Sequence, residues 1–150
     1  MVQIKNLKYV FEPKSVAIIG ASRDPGKIGH IIMRNFFESS FRGKVYPVNP
    51  NATEVLNIKC HPSVLDIKGD VDCAIIAIPA AQVNNALAEC GRKGVKAAVV
   101  ITGGFGETGN VKLEQKLKQI SDKYGIALVG PNCMGVINAQ SRVDSVFLPI

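Results

Sequence analysis

Five short apolar runs, separated by turns and helical patterns, constrain the fold of this chain more than any other feature. They cover 15–19, 44–48, 72–78, 96–101 and 125–129. Runs that are apolar on both faces predict strands of a parallel sheet whose two faces are both covered. Right-handed crossovers between such strands give an α/β fold: a Rossmann-like, doubly wound, mostly parallel five-stranded sheet with helices on both faces.

Helical periodicity fills the segments between these runs. It predicts helices over about 27–38, 80–91 and 110–124, with a short one around 62–66. Gly91 or Gly94 can end the second of the longer helices. Pro47 lies inside the second apolar run, so that strand is expected to be short or imperfectly paired.

Length and composition favour one soluble domain. The chain has 150 residues, of which 47% are hydrophobic and 20% charged. No apolar run approaches the roughly 18 residues that span a bilayer, and no secretory pattern opens the sequence, so we expect a cytoplasmic protein without a membrane partner.

The positive charges that give the net charge of +6 are scattered along the chain. This distribution argues against a nucleic-acid partner and is consistent with a phosphate-bearing ligand. The weakly periodic tail, 138–150, ends on apolar residues, which indicates a chain cut from a longer one or a tail that packs onto a partner.

The cysteines and histidines do not form a metal-binding or disulfide pattern. Cys73 and Cys90 fall in apolar strand and helix patterns and are expected to be small core residues, as in a reducing compartment. His30 is expected to face solvent or pack, and His61 to occupy a turn or a helix start. With these two as the only histidines, and no cysteine at ligand spacing from either, no metal site is expected.

Small, polar or turn-forming residues follow every predicted strand. These segments cover 20–29, 49–51, 79–80, 102–107 and 130–135. Ligands bind beyond the carboxyl ends of the strands in such a sheet. Five loops of this kind at one edge therefore predict a ligand cleft, because structural turns alone do not require this clustering.

The first loop has the composition of a phosphate site. Gly20 permits a tight turn, and Gly29 lies at the start of a helix, where free backbone N–H groups and the helix dipole favour an anion. Ser22 can donate a hydrogen bond, and Arg23 and Lys27 add positive charge. The alternative is an ordinary glycine-rich turn with surface charges.

The pattern of this loop disfavours nicotinamide cofactors. It is neither G-x-G-x-x-G nor a Walker loop. The second strand ends in Val48-Asn49-Pro50-Asn51, with no acid to bind a ribose 2′-hydroxyl and no adjacent arginine for a 2′-phosphate. A different phosphate-bearing adenine nucleotide is the better expectation.

The five loops carry five motifs, in this order: Gly20-Ala-Ser-Arg, Val48-Asn-Pro, Ile78-Pro-Ala, Ile101-Thr-Gly-Gly-Phe-Gly-Glu107 and Gly130-Pro-Asn-Cys-Met-Gly135. Together they resemble the CoA-binding domain of NDP-forming acyl-CoA synthetases, the superfamily of ADP-forming acetate–CoA ligase and the succinyl-CoA synthetase α-subunit. The resemblance runs from about residue 11 to 150. It implies that residues 1–150 form a CoA-binding Rossmann-like domain, the N-terminal part of a longer enzyme.

The resemblance implies coenzyme A as ligand and a ligase as the whole enzyme. Such enzymes join a carboxylic acid to CoA, coupled to ATP or GTP, through an acyl phosphate and a phosphorylated histidine. The expected partners are further ligase domains or subunits that carry the phosphohistidine and the ATP-grasp site. This chain is therefore expected to contain no catalytic residues and to be inactive alone. Two alternatives remain: a free-standing regulatory CoA-binding protein, and an NAD(P)-binding oxidoreductase domain.

The resemblance also implies which loops contact each part of CoA. Around the phosphates these are Gly20, Ala21, Ser22, Arg23, Asp24, Pro25, Lys27 and Gly29. Elsewhere they are Asn49 and Pro50 after the second strand, Ile78, Pro79 and Ala80 near the adenine, Thr102, Gly103 and Gly104 beside the pantetheine, and Asn132 and Cys133 near the thiol.

The sequence departs from the succinyl-type enzymes at two of these loops. Ala52 stands roughly where those enzymes have a lysine, and Gly103 where they have a glutamate. The acetate-type branch is the closer match, and Arg23 or Lys27 is then expected to supply the charge at the phosphates.

Overall fold

Strands and helices alternate through most of the chain. The computed structural model describes residues 4–148. Their helices and strands are α1 (Lys8–Phe11), β1 (Ser15–Ile19), α2 (Ile28–Glu38), β2 (Lys44–Val48), β3 (Glu54–Val55), β4 (Ile58–Lys59), β5 (Cys73–Ile76), α3 (Ala80–Lys93), β6 (Ala97–Val100), α4 (Val111–Tyr124), β7 (Ala127–Val129), β8 (Ile137–Asn138) and β9 (Val143–Asp144). Short 3-10 helices cover Ile4–Asn6, Val64–Asp66 and Gly106–Thr108.

The central sheet is parallel throughout, in the order β2-β1-β5-β6-β7. This confirms the predicted doubly wound α/β fold. From β1 the chain first adds β2 on one side and then returns to add β5, β6 and β7 on the other. The crevice beyond the carboxyl ends of β1 and β5 is therefore the topological switch point, where sheets of this kind bind ligands.

An apolar layer covers each face of the sheet, and every position of β1, β5 and β6 is buried. The crossover helices α3 and α4 pack on one face, through side chains such as Leu87 and Leu117. On the other face α2 contributes Phe36, while α1 and β9 add Val10 and Val143. The N-terminal helix and the C-terminal tail thus complete the layer that α2 begins.

The helix ends match the predictions to within a few residues. Lys27 is the extended residue before α2. Gly94, at φ 88°, ends α3, which is two residues longer than predicted. Gly91 instead lies inside α3, where its missing Cβ makes room for Tyr124; an added Cβ would lie 2.2 Å from that ring. The segment around 62–66 forms the 3-10 helix Val64–Asp66.

The predicted imperfection of β2 is not present. Its five residues pair in register with β1, and Pro47 lies opposite Ile18. The reason is that β2 is the edge strand of this sheet, where a residue without an N–H group is tolerated.

The tail folds onto its own domain. Strands β8 and β9 pair as a short antiparallel hairpin, and Asn138 Nδ2 donates to the carbonyl of Phe11 at 3.0 Å. Pro149 and Ile150, at the apolar end of the tail, lie outside the described residues. In the described part of the chain, no helix is long and apolar enough to cross a bilayer.

Candidate functional site

A cleft of about 1120 Å³ opens at the switch point and is lined by loops that follow all five strands of the sheet. Ligand pockets typically have volumes of about 300–1,000 Å³, so this one can hold a large ligand. The predicted site residues in its wall are Gly20, Ser22, Lys27, Gly29, Asn49, Pro50, Ile78, Pro79, Thr102, Gly103 and Asn132. The expectation that the five loops meet in one cleft is confirmed.

The other predicted site residues lie outside this wall. They are Ala21, Arg23, Asp24, Pro25, Ala80, Gly104 and Cys133. Ala21 is fully buried, whereas Arg23, Asp24 and Pro25 form the exposed outer part of the first loop. Direct ligand contact by these residues stays a prediction.

Side chains within the first loop hold its shape. Ser22 Oγ accepts from the backbone N–H of Asp24 at 3.1 Å, and Asp24 Oδ1 accepts from the N–H of Gly26 at 2.9 Å. The ring Nδ1 of His30 lies 2.9 Å from the carbonyl oxygen of Ser22. His30 therefore packs against the loop and supports it, in line with the expected packing role. Since Ser22 acts as acceptor in its hydrogen bond, its own proton is available to a ligand.

The N-terminus of α2 opens into the cleft. Lys27, Ile28 and Gly29 all line the wall, and no side chain caps the helix. The first turn of a helix has backbone N–H groups without intrahelical partners and carries a partial positive charge. Together with the ammonium group of Lys27, this turn offers an anion site.

The two glycines predicted for this site are required by packing. Gly20 has φ 97°, and an added Cβ would lie 2.2 Å from the carbonyl oxygen of Ala77. A Cβ on Gly29 would lie 1.8 Å from the carbonyl oxygen of Gly20. The glycines therefore let α2 approach the ends of β1 and β5 closely, which brings the helix N-terminus to the cleft.

Asn49 and Thr102 connect neighbouring loops. Asn49 Nδ2 donates to the carbonyl of Ala21 at 2.8 Å, and its Oδ1 accepts from the N–H of Asn51 at 2.8 Å. Thr102 Oγ1 donates to the carbonyl of Ile78 at 2.7 Å. Both predicted residues thus fix the relative positions of the loops that form the wall.

The loop after β6 is held by carboxylates. Glu107 accepts backbone N–H bonds from Gly104 and from Phe105, and Glu114 accepts the N–H of Gly106 at 2.8 Å. The bond from Gly104, the largest cause, lowers the pKa of the Glu107 carboxyl. Phe105 is fully buried in the layer beneath α3 and α4. Most of this motif therefore shapes the loop, and only its start lines the cleft.

The four cysteines are free thiols that are buried or half-buried. Cys133 Sγ donates to the carbonyl of Val100 at 3.3 Å, beneath the loop, and burial raises the pKa of its thiol. Cys73 and Cys90 are core residues as predicted, and burial raises the pKa of Cys90 to about 12.

Among residues 4–148 no cluster of histidine, cysteine and acidic side chains could hold a metal ion. His61 stacks edge-on against Tyr46, with ring centroids 5.9 Å apart.

The α3 side of the cleft carries a polar group that no sequence motif predicts. Ser63 Oγ donates to Glu89 Oε2 at 2.8 Å, and Asn85 Nδ2 lies 3.4 Å from Glu89 Oε1. All three residues line the wall. The capping box of Ser63 and Asp66 is visible in the sequence as Ser-x-x-Asp, but the partnership with Glu89 depends on the tertiary fold.

A family model for the CoA binding domain matches residues 14–139. The chain belongs to this family. The resemblance indicated by the five sequence motifs is thereby confirmed.

The relatives of this CoA binding domain include long ligases. It is 49% identical over 144 residues to acetate–CoA ligase [ADP-forming] of Methanocaldococcus jannaschii, covering 96% of this chain and 20% of that protein. It is 45% identical to acetate–CoA ligase [ADP-forming] II subunit alpha of Pyrococcus furiosus, covering 96% of this chain and 32% of that subunit.

A solved structure agrees with these relatives. The dinucleotide forming acetyl-coenzyme A synthetase 1 of Ca. Korarchaeum cryptofilum, in complex with phosphate and ADP, is 45% identical, with a TM-score of 0.93 over 95% of this chain and 31% of that one. The chain thus spans between a fifth and a third of the length of these relatives.

Proposed function

We propose that the cleft binds coenzyme A, with the CoA phosphates at the N-terminus of α2. The observation that carries this proposal is the uncapped first turn of α2, with Lys27 beside it, inside the wall of the switch-point cleft. Backbone N–H groups and a lysine are suitable partners for a pyrophosphate. Membership of the CoA binding domain family supports the choice of CoA among phosphate-bearing nucleotides.

The remaining loops would contact the rest of the ligand. Ile78 and Pro79 offer an apolar surface for the adenine, and Thr102 and Gly103 line the path of the pantetheine arm. Asn132 would lie towards the thiol end. The supporting observation is that these residues share one continuous wall with Lys27.

The end of β2 supports CoA over NAD and NADP. Asn49 stands where dinucleotide-binding folds place an acid for the ribose 2′-hydroxyl, and both ends of its amide already bond to the backbone. Asn49 carries no negative charge, so a bond from a ribose hydroxyl to its Oδ1, which already accepts from Asn51, would be weaker than the bond to a carboxylate.

The domain would act as one part of an ADP-forming acyl-CoA synthetase, in which acid, CoA and ATP give acyl-CoA, ADP and phosphate. The supporting observation is that its relatives include ADP-forming acetate–CoA ligases three to five times its length. Further domains or subunits would supply the phosphohistidine and the ATP-grasp site. This chain would bind and orient CoA, and alone it would form no acyl-CoA.

Calorimetric titration of the chain with CoA, dephospho-CoA, NAD and NADP tests the proposal. CoA should bind at one site per chain, at least tenfold more tightly than either nicotinamide nucleotide. Saturation by NAD or NADP without saturation by CoA would show that the assignment is wrong. Acyl-CoA formation from acetate, CoA and ATP by the purified chain would contradict its role as a non-catalytic part.

A further inference from the structure

The C-terminal tail runs along α2 towards the cleft. Near the C-terminal end of the helix, Ser39 Oγ donates to the carbonyl of Arg142 at 2.8 Å. Asn35 Nδ2, one turn earlier in the helix, donates to the carbonyl of Val146, four residues later in the tail. The tail is therefore antiparallel to α2, and it advances towards the helix N-terminus that opens into the cleft.

A second set of contacts fixes the same stretch against the loop after β7. Ser145 is fully buried. Its N–H donates to the carbonyl of Val136 at 3.0 Å, and its Oγ accepts from the N–H of Val136 at 2.8 Å. Gly135, at φ 103°, has no space for a side chain, because an added Cβ would lie 2.3 Å from the carbonyl oxygen of Ser145. The tail is thus held between α2 and this loop.

Phe147, immediately after this double attachment, reaches the wall of the cleft. Its half-buried ring packs against the apolar layer on the α2 side of the sheet. Phe147 directly follows Val146, which is attached to α2, and Ser145, which is attached to the loop after β7. That loop also supplies Asn132 to the wall. An aromatic face offers little to a phosphate, whereas it suits an alkyl and amide chain.

We propose that Phe147 is a specificity-determining residue that forms an apolar wall for the pantetheine arm of CoA, and that Asn35 positions it by holding Val146. This inference rests on the proposed CoA function. It adds the tail to a site that the sequence motifs place only on the five strand-end loops. Phe147 would contact the ligand, whereas Asn35 would act through the tail.

The test compares CoA with adenosine 3′,5′-bisphosphate, a nucleotide without the pantetheine arm. Phe147→Ala should weaken CoA binding about tenfold and change nucleotide binding less than twofold, because only the arm loses its apolar contact. Phe147→Leu should retain most of the CoA affinity. Phe37→Ala is the matched control. Phe37 is 44% exposed on α2 and lies outside the cleft wall, so its loss should change the affinity for neither ligand.

Equal losses for both ligands in Phe147→Ala, or an unchanged CoA affinity, would overturn the inference while leaving the proposed function standing. Failure of the unmodified chain to bind CoA would instead overturn the proposed function itself. Asn35→Ala should lower the ratio of CoA to nucleotide affinity and add no further loss in the Phe147→Ala background. Equal weakening of both ligands would show a merely structural role for Asn35. The Phe147 variants decide the proposal even where Asn35→Ala does not fold.

Discussion

The α2 side and the α3 side of the cleft are built by different means. Around the N-terminus of α2, the wall contains backbone N–H groups, Ser22 and the positive charge of Lys27. At α3, it contains the carboxylate of Glu89, held by Ser63 and Asn85. A carboxylate repels a neighbouring anion, so the α3 side is the less favourable place for a phosphate. The contrast indicates a ligand with a strongly anionic part at α2 and a neutral, polar part at α3.

The largest effect is expected where α2 meets β1. Gly29→Ala should reduce the free energy of unfolding by about 3 kcal/mol or more, because the new Cβ would lie 1.8 Å from a backbone oxygen and overpacking outweighs the helix propensity of alanine. Chemical denaturation measures this.

Gly26→Ala is the matched control for that substitution. Its Cβ would meet only Asp24 Oδ1, at 3.4 Å, so stability should change by about 0.5 kcal/mol or less. Similar small losses in the two variants would show that close packing does not position the α2 N-terminus.

The next effect concerns charge at the α2 side. Lys27→Ala should weaken CoA binding about tenfold, since a charge-assisted hydrogen bond contributes about 1.5–3 kcal/mol and solvent exposure reduces that value. Arg23→Ala should cost less, because Arg23 lies outside the cleft wall. In titrations at low and high salt, the CoA affinities of Lys27→Ala and the unmodified chain should differ less at high salt, because salt screens the charge of Lys27. A larger loss for Arg23→Ala would place the phosphates on the outer part of the loop.

The smallest effect is expected at the α3 side. Glu89→Gln removes the charge and keeps a carbonyl oxygen that can accept from Ser63, so CoA affinity should change by less than about threefold. Titration with CoA measures this, with Asn84→Ala, outside the cleft wall, as a control on the same helix. A tenfold gain in affinity on charge removal would indicate that a phosphate lies at α3, and the contrast between the two sides would be wrong.

Local patterns predicted much of the fold but not its long-range pairings. The apolar runs identified all five strands of the sheet, because strands buried on both faces need continuous apolar sequence. The two-residue strands of the hairpins, such as Glu54–Val55, are too short for any period to show. The pairing of Pro47 was misjudged because edge position depends on strand order, which no single segment contains.

The residues of the candidate site likewise fall into two groups, those that a local motif predicts and those that depend on long-range contacts. Gly20, Ser22 and Lys27 were predictable because one loop brings together a turn glycine, a hydroxyl and a charge next to a helix start. Glu89 and Phe147 were not predictable, because their surroundings depend on residues distant in sequence. Ser63 bonds to Glu89, and Asn35 holds Val146, the residue before Phe147. The sulfur of Cys133 bonds to the carbonyl of Val100, and the expected place of Cys133 near the thiol end stays a prediction.

The central claim, that phosphates bind at the α2 N-terminus, is tested most directly by following backbone amides by NMR while CoA is added. We expect the largest chemical-shift changes at Ile28 and Gly29, with smaller ones at Thr102 and Gly103. Inorganic pyrophosphate should shift the first pair alone. The groove between α4 and β7, lined by Val111 and Leu128, should not respond. Largest shifts in that groove, or unshifted amides at 28 and 29 when CoA saturates, would contradict phosphate binding at the α2 N-terminus.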